Sequence, residues 1–282
     1  MTRVLSGLFD THVHLQDRSF DADREAVLQR ARAAGVAAMA VVSDGEASSQ
    51  RAIDLAGADG GLWATVGLHP HHAKRADDGF AGRLMRLAEQ PRVVAIGEIG
   101  LDFHYDRSPR DVQALVFGKQ LAVAVARALP VVIHSRSALE ETLALVEAWS
   151  AERMREGADA PLGVMHCFGY DMSAARRFLD CGFMISIPGT VTYPNANAVR
   201  AVAATVPEEM LLIETDAPVL APQEHRGGRN EPAYLCETAE TVARLRGVDV
   251  QRLARATTAN AHRLFRLPSS ASTEPTTEGT TA

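Results

Sequence analysis

Six side chains of the kinds that bind divalent cations stand at the polar ends of apolar runs: His12, His14, Glu98, His134, His166 and Asp216. Imidazole nitrogens and carboxylate oxygens together suit zinc, manganese or magnesium. Four imidazoles and two carboxylates are more than one tetrahedral ion needs. They suit two ions that share a carboxylate and a hydroxide, a pair that makes a hydrolytic nucleophile near neutral pH. A single histidine at a strand end is more often a hydrogen-bonded core residue than a ligand, so the weight lies in the whole set.

The set has meaning only if the chain brings it together. Apolar or β-branched runs recur at Val4–Phe9, Val36–Val42, Leu62–Val66, Val93–Ile96, Val131–Ile133, Leu162–Met165, Phe183–Ile187 and Met210–Ile213, and read as eight strands. Segments with helical apolar spacing lie between them: Asp23–Ala34, Phe80–Gln90, Val112–Leu129, Ala138–Arg155 and Ser173–Cys181. Gly35, Pro91, Pro130, Gly182 and Pro207 punctuate the ends. Tyr234–Arg246, Val250–Thr257 and Asn260–Phe265 read as further helices. Alternation of strand and helix implies parallel strands, and eight units fit a closed (β/α)8 barrel in a single α/β domain. A doubly wound sheet competes, but neither GxGxxG nor a Walker pattern is present. In a barrel all C-terminal strand ends share one rim, where the six side chains converge. His12 and His14, two apart on a strand, point the same way.

Composition narrows the class. The 282 residues carry 46% hydrophobic and 23% charged residues, an ordinary globular balance. The barrel is expected over 1–267, and 268–282, which has no large apolar residue, as a disordered tail. The longest apolar candidate, Leu121–Ile133, is interrupted by Arg127 and Pro130, so no membrane span is expected. No signal peptide is visible and the three cysteines show no metal spacing, which favours a reducing cytoplasm. A net charge of -6 argues against a generic basic surface for polyanions. A nucleic-acid substrate would need a local positive site made by metal or arginine.

The motifs Asp10-Thr-His-Val-His-Leu15, Gly67-Leu-His-Pro-His71, Ile96-Gly-Glu-Ile-Gly-Leu-Asp102, His134-Ser-Arg136, His166-Cys-Phe168, Glu214-Thr-Asp-Ala-Pro218 and Arg229-Asn-Glu-Pro232 together resemble the TatD family of metal-dependent hydrolases and deoxyribonucleases, within the amidohydrolase-like barrels. The resemblance covers about residues 8–266. It implies a TIM barrel, metal ligands at His12, His14, Glu98, His134, His166 and Asp216, and divalent-metal hydrolysis of phosphodiester bonds, with 3′-5′ exonuclease action on DNA as the best-attested reaction. Phe103-His104 departs from the tyrosine the family often has after Gly-Leu-Asp.

Within that resemblance the residues narrow the roles. Related barrels bridge two metals with a carbamylated lysine on a strand end. Lys74 and Lys119, the only lysines, fall in a loop and a helix, which leaves Glu98 as the bridge. Asp216 could bind one ion and accept the proton of the attacking water as general base. His69, His71 and Arg136 are candidate phosphate contacts, against a proline-fixed surface loop and a surface ion pair. Arg229 and Asn230 are candidates for substrate contact or for loop-closing hydrogen bonds. Glu214 is expected to orient a ligand, and Cys167, of opposite strand parity to His166, to pack between barrel and helices. Trp63, Phe168 and Tyr193 could stack a base or simply pack.

The expected protein is therefore a hydrolase with two divalent ions per chain, acting on DNA ends, with no obligate protein partner. A hydrolase of a small amide, lactone or phosphomonoester, and a metal-binding barrel that serves only for interaction, are the competing readings, since a barrel alone does not fix the chemistry.

Overall fold

The computed structural model describes residues 5–159 and 161–267. Among them are eight strands: β1 Leu8–Val13, β2 Val36–Val42, β3 Leu62–Val66, β4 Val93–Asp102, β5 Val131–Arg136, β6 Gly163–Met165, β7 Phe183–Ile187 and β8 Leu211–Ile213. The α-helices are α1 Arg24–Ala33, α2 Glu46–Ala58, α3 Phe80–Leu87, α4 Arg110–Arg127, α5 Leu139–Arg155, α6 Met172–Asp180, α7 Asn197–Thr205, α8 Leu235–Arg246 and α9 Val250–Phe265. The strands pair in chain order, each parallel to the next. The ring closes just beyond β8, where Asp216 N donates to His12 O at 2.9 Å and His14 N donates to Ala217 O at 2.8 Å. This is the expected (β/α)8 TIM barrel in one domain. The proposed tail over 268–282 lies outside the described residues.

Two apolar layers hold the barrel. Strand side chains facing outward pack under the helices in one continuous core that includes Val27, Val41, Phe117, Leu143 and Phe178. Near the strand starts, Phe9, Ala40, Val132, Val164, Met184 and Leu212 fill the inside and meet Ala261, Leu264 and Phe265 of α9. This helix plugs the N-terminal mouth, and Phe265 lies against Phe9 with ring centroids 5.8 Å apart. Burial of an aromatic side chain of this size is worth about 2–3 kcal/mol. With that mouth sealed, only the C-terminal rim is left for a site. Among the described residues no helix is long and apolar enough to cross a membrane.

The elements differ from the sequence reading at identifiable places. The first strand runs later than Val4–Phe9, because Asp10, Thr11 and His12 are buried on it and their polar groups are bonded across the barrel. β4 continues past Ile96 to Asp102. α2 and α7 are not among the helices read from the sequence: α7 is a short helix that buries Val199, Val202 and Ala203, while α2 buries Ser48 and Ser49 beside Ala52 and Ile53, and its start is capped by the Ser48 hydroxyl, which accepts from Gly45 N at 2.9 Å. The two helices expected at the C-terminus are the single α9, with Asp249 accepting from Arg252 N at its start.

Candidate metal centre

β1 and β4 carry the irregularities that create the site. Asp10 pairs with Met39 and Val13 with Val41, so three steps on β1 face two on β2. Ile96 pairs with Val131 and Ile99 with Ile133, the same mismatch on β4. Each extra residue is a bulge that re-aims the side chains beyond it. On β1 it lets Thr11, bonded to Ser186 across the barrel, and the next residue, His12, both turn inward. On β4 it swings Glu98 into the rim. Gly97 sits where a Cβ would come within 2.5 Å of the Val132 side chain, so only glycine lets the two strands approach here.

Glu98 is the hub, and its two oxygens face different imidazoles. Oε2 lies 3.5 Å from His12 Nε2 and 3.9 Å from His14 Nε2. Oε1 lies 2.8 Å from both His134 Nδ1 and His166 Nε2, and 3.4 Å from His69 Nε2. Asp216, at positive φ just past β8, brings Oδ1 to 3.4 Å from His14 Nε2 and 3.8 Å from His12 Nε2. The possible ligand atoms gather in three groups, each within 4.8 Å: His12, His14 and Asp216; His12, Glu98 and His166; His69, Glu98 and His134. The six side chains singled out at strand ends are thus brought together.

The far nitrogens fix which atom of each ring faces inward. His14 Nδ1 lies 2.7 Å from Val42 O, an acceptor only, so it carries a hydrogen and Nε2 is the atom turned to the centre. His134 Nε2 lies 3.1 Å from Asp102 Oδ2, which leaves Nδ1 for the centre. His166 Nδ1 is 3.4 Å from Glu214 Oε1, and Nε2 faces Glu98. A carboxylate or carbonyl behind a histidine is the usual orientation of a metal-binding imidazole. His69 is set the other way: its Nδ1 accepts from His71 N at 3.0 Å, so a neutral ring carries its hydrogen on Nε2, toward Glu98. His69 is therefore a donor rather than a ligand.

Charge balance points the same way. Burial opposes ionisation of Glu98, yet the charge of His166, the facing His69 ring and bonds from His12 and His134 hold its pKa well below the ordinary value. Burial also opposes protonation of His14, but Asp216 outweighs it and raises the pKa to about 9. His134 and His166 are raised against their burial by Asp102 and Glu98, and by Glu98 and Glu214, respectively. His69 is lowered to about 4, chiefly by burial. Protons on the imidazoles thus balance buried carboxylates at the places where bound cations would. Buried His12 Nδ1 and Glu214 Oε2 have no hydrogen-bond partner among the described residues. The residues fit a divalent-metal centre.

The other expected site residues divide. His71 and Arg136 line the cavity above the cluster, a space of about 620 Å³ that also meets His69, Tyr105 and Tyr170. His71 Nε2 is engaged with Asp102 Oδ2 at 3.0 Å. Arg229 and Asn230 do not line it. Arg229 donates to Asp23, Glu231 and Ser19 O, tying the loop after β8 to the start of α1. Asn230, fully buried, donates to Thr215 O and Val219 O. Their polar groups are consumed in closing the loop, the alternative that the sequence left open. Cys167 is not packed between barrel and helices but lines the cavity, because a left-handed φ of 45° breaks the strand alternation; its N–H donates to Glu214 Oε1 at 2.6 Å. Of the aromatics, Trp63 is covered by Arg92, Phe168 is buried against Phe178, and Tyr193 lies under Arg226.

Two residues had no role assigned from sequence. Asp102 holds both His134 and His71 and accepts from His104 N and Tyr105 N. Asp10 accepts from His12 N and from the backbone and hydroxyl of Thr215, locking the start of the site to its end. Burial raises the Asp10 pKa to about 7. Both stand inside motifs, but only the fold shows what they hold.

The family model described as TatD related DNase matches residues 9–266. The chain is 39% identical to an uncharacterized metal-dependent hydrolase, YabD, of Bacillus subtilis, over 92% of this chain and 99% of that one. It is 40% identical to the 3'-5' ssDNA/RNA exonuclease TatD of Pantoea ananatis, over 92% and 100% of the two chains. The crystal structure of the TatD homologue YJJV of Escherichia coli superposes with a TM-score of 0.85 at 32% identity, over 93% of this chain and 98% of that one. The motifs, the barrel and these likenesses together make the chain a member of the TatD-related DNase family, a metal-dependent hydrolase that acts on ester bonds.

Proposed function

We propose that this hydrolase removes nucleotides from the 3′ end of single-stranded DNA, with two divalent cations, zinc, manganese or magnesium, held by His12, His14, Glu98, His134, His166 and Asp216. The observation that carries the reading is the split of Glu98, whose two oxygens face separate imidazole groups on one rim. The 3'-5' exonuclease named in Pantoea ananatis supports the choice of substrate. Bound cations would supply Lewis acidity to a phosphoryl oxygen and lower the pKa of water near it. The chain's own groups do the rest. Asp216 Oδ1 faces His14 and His12, and Oδ2 is assigned the proton of the attacking water. His69 would turn its Nε2 hydrogen, which faces Glu98 in the free centre, to a phosphate oxygen, and Arg136 would offer a guanidinium at the mouth. Residues 1–267 carry the activity without 268–282, and a reducing cytoplasm suits the three free cysteines.

The test is a set of single-stranded oligonucleotides labelled at either end, incubated with each metal. Shortening from the 3′ end that needs metal supports the reading. An intact oligonucleotide with every metal, beside cleavage of a lactone or dipeptide, overturns it in favour of a small-molecule hydrolase. Asp216→Asn separates ligand from base: metal content is expected near normal and kcat lower by on the order of 10³-fold. Most activity retained at full metal content would pass the base role to another group.

A further inference from the structure

The cavity has a cation–aromatic assembly at its mouth that the metal centre does not use. Tyr105 lines the cavity and is 50% exposed. The guanidinium of Arg136, the last residue of β5, lies 4.8 Å from its ring centre, and that of Arg107 lies 5.2 Å away. The His71 ring stands edge-on at 5.4 Å. Arg30, Arg83 and Arg177 are bound to carboxylates. Arg107 and Arg136, by contrast, form no ion pair among the described residues. Two unneutralised guanidiniums beside the catalytic cavity of a chain with net charge -6 are a local site for anions.

We propose that Tyr105, Arg107 and Arg136 form the docking platform for the end of a single-stranded nucleic acid, the stacked ring and guanidinium planes receiving a base and the two charges receiving flanking phosphates. The inference rests on the nucleic-acid reading above and deepens it. Two further observations support it. Val219 and Leu220, 51% and 39% exposed, line the same cavity, so its mouth offers apolar faces suited to an unstacked base and of no use to phosphate alone. Bases in a duplex are stacked and cannot present their faces, whereas single strands are bound on aromatic and guanidinium planes. The platform is also tied to the centre: Asp102 accepts from Tyr105 N at 2.8 Å and holds His134 Nε2 at 3.1 Å with its other oxygen. A base seated on Tyr105 is thereby held in register with the rim.

The experiment measures anisotropy of a fluorescent single-stranded oligothymidylate with metal-free protein in chelator, alongside KM and kcat for its degradation with metal. Tyr105→Ala is expected to weaken binding about 10-fold and raise KM, and Tyr105→Phe to bind like the wild type. Arg107→Ala and Arg136→Ala should each reduce the salt dependence of binding by about 0.7 in log–log slope. Arg51→Ala, which removes an exposed charge from α2, should leave binding unchanged. A Tyr105→Ala protein that melts normally and binds as tightly as the wild type overturns the platform, even if the wild type degrades DNA from its 3′ end. Failure of the wild type to bind the oligonucleotide overturns it as well. Binding without cleavage under any metal, lost in Tyr105→Ala, supports the platform and removes the exonuclease reading instead.

Discussion

Two imidazoles of the centre are aimed by a bonded group behind them, His14 by Val42 O and His134 by Asp102, and Asp102 does the most of this work. It takes the Nε2 hydrogen of His134 and so presents Nδ1 to the centre, while also fastening His71 and the Tyr105 backbone. Asp102→Asn keeps the shape and removes the charge. Zinc affinity measured by chelator competition is expected to fall about 10-fold, the lower end for groups that orient metal-binding histidines. Unchanged affinity would mean that the ring is held by packing alone. Protons report on the same centre. His14 is raised to about 9 by Asp216, so below that pH a cation must displace its proton. Metal affinity is therefore expected to rise with pH through 6, 7 and 8 and to level above about 9. Calorimetry in buffers of different ionisation enthalpy should record proton release at pH 7, and affinity independent of pH would sink this account. The convergence of the metal-competent side chains was legible because strand ends mark one rim. Asp102, Arg229 and Asn230 were not legible in role. Whether a polar side chain faces the centre or braces a loop depends on partners such as Asp23 and His134, which spacing along the chain does not reveal.

At the scale of elements, the strands that carry most are the least regular. An unbroken alternation along β1 would turn Thr11 and His12 to opposite sides, and the bulge removes that conflict. The sequence hid the true extent of β1 because a strand that buries Asp10, Thr11 and His12 has no apolar run to read. β2, β3 and β7, free of ligands, matched their apolar runs from end to end. Beyond Gly97, the tightest place on β4 is Gly100, at φ +137°, where a Cβ would fall 2.0 Å from His134 O. Gly100→Ala must therefore push β4 from β5 at the level of a candidate ligand. Stability from urea unfolding is expected to drop by about 2–3 kcal/mol, as for a side chain forced into filled space in a strained conformation. Zinc affinity should fall with it, since His134 moves with β5. A variant with an unchanged unfolding midpoint would show that β4 can yield locally, and that the bulge, not the close approach, sets the position of Glu98.

For the molecule as a whole, the sealed lower mouth and the open upper rim leave a single catalytic face on a protein of net charge -6. Such a body repels a polyanion everywhere except where cations or free guanidiniums locally reverse the sign. On the proposed substrate, affinity for single strands would come from few phosphate contacts. Each phosphate neutralised on a single strand contributes about −0.7 to the slope of log K against log salt. Arg107 and Arg136 are two such charges, so the metal-free protein should show a slope of roughly −1.4. Weak contact of this kind also predicts release after few cleavages, read as a ladder of intermediates when labelled DNA is in excess. A slope several times steeper, or digestion of each strand to completion before the next is touched, would require a basic track along the surface. Arginines such as Arg30, Arg83 and Arg177, which are ion-paired to carboxylates, would then have to exchange those partners for phosphates when DNA binds.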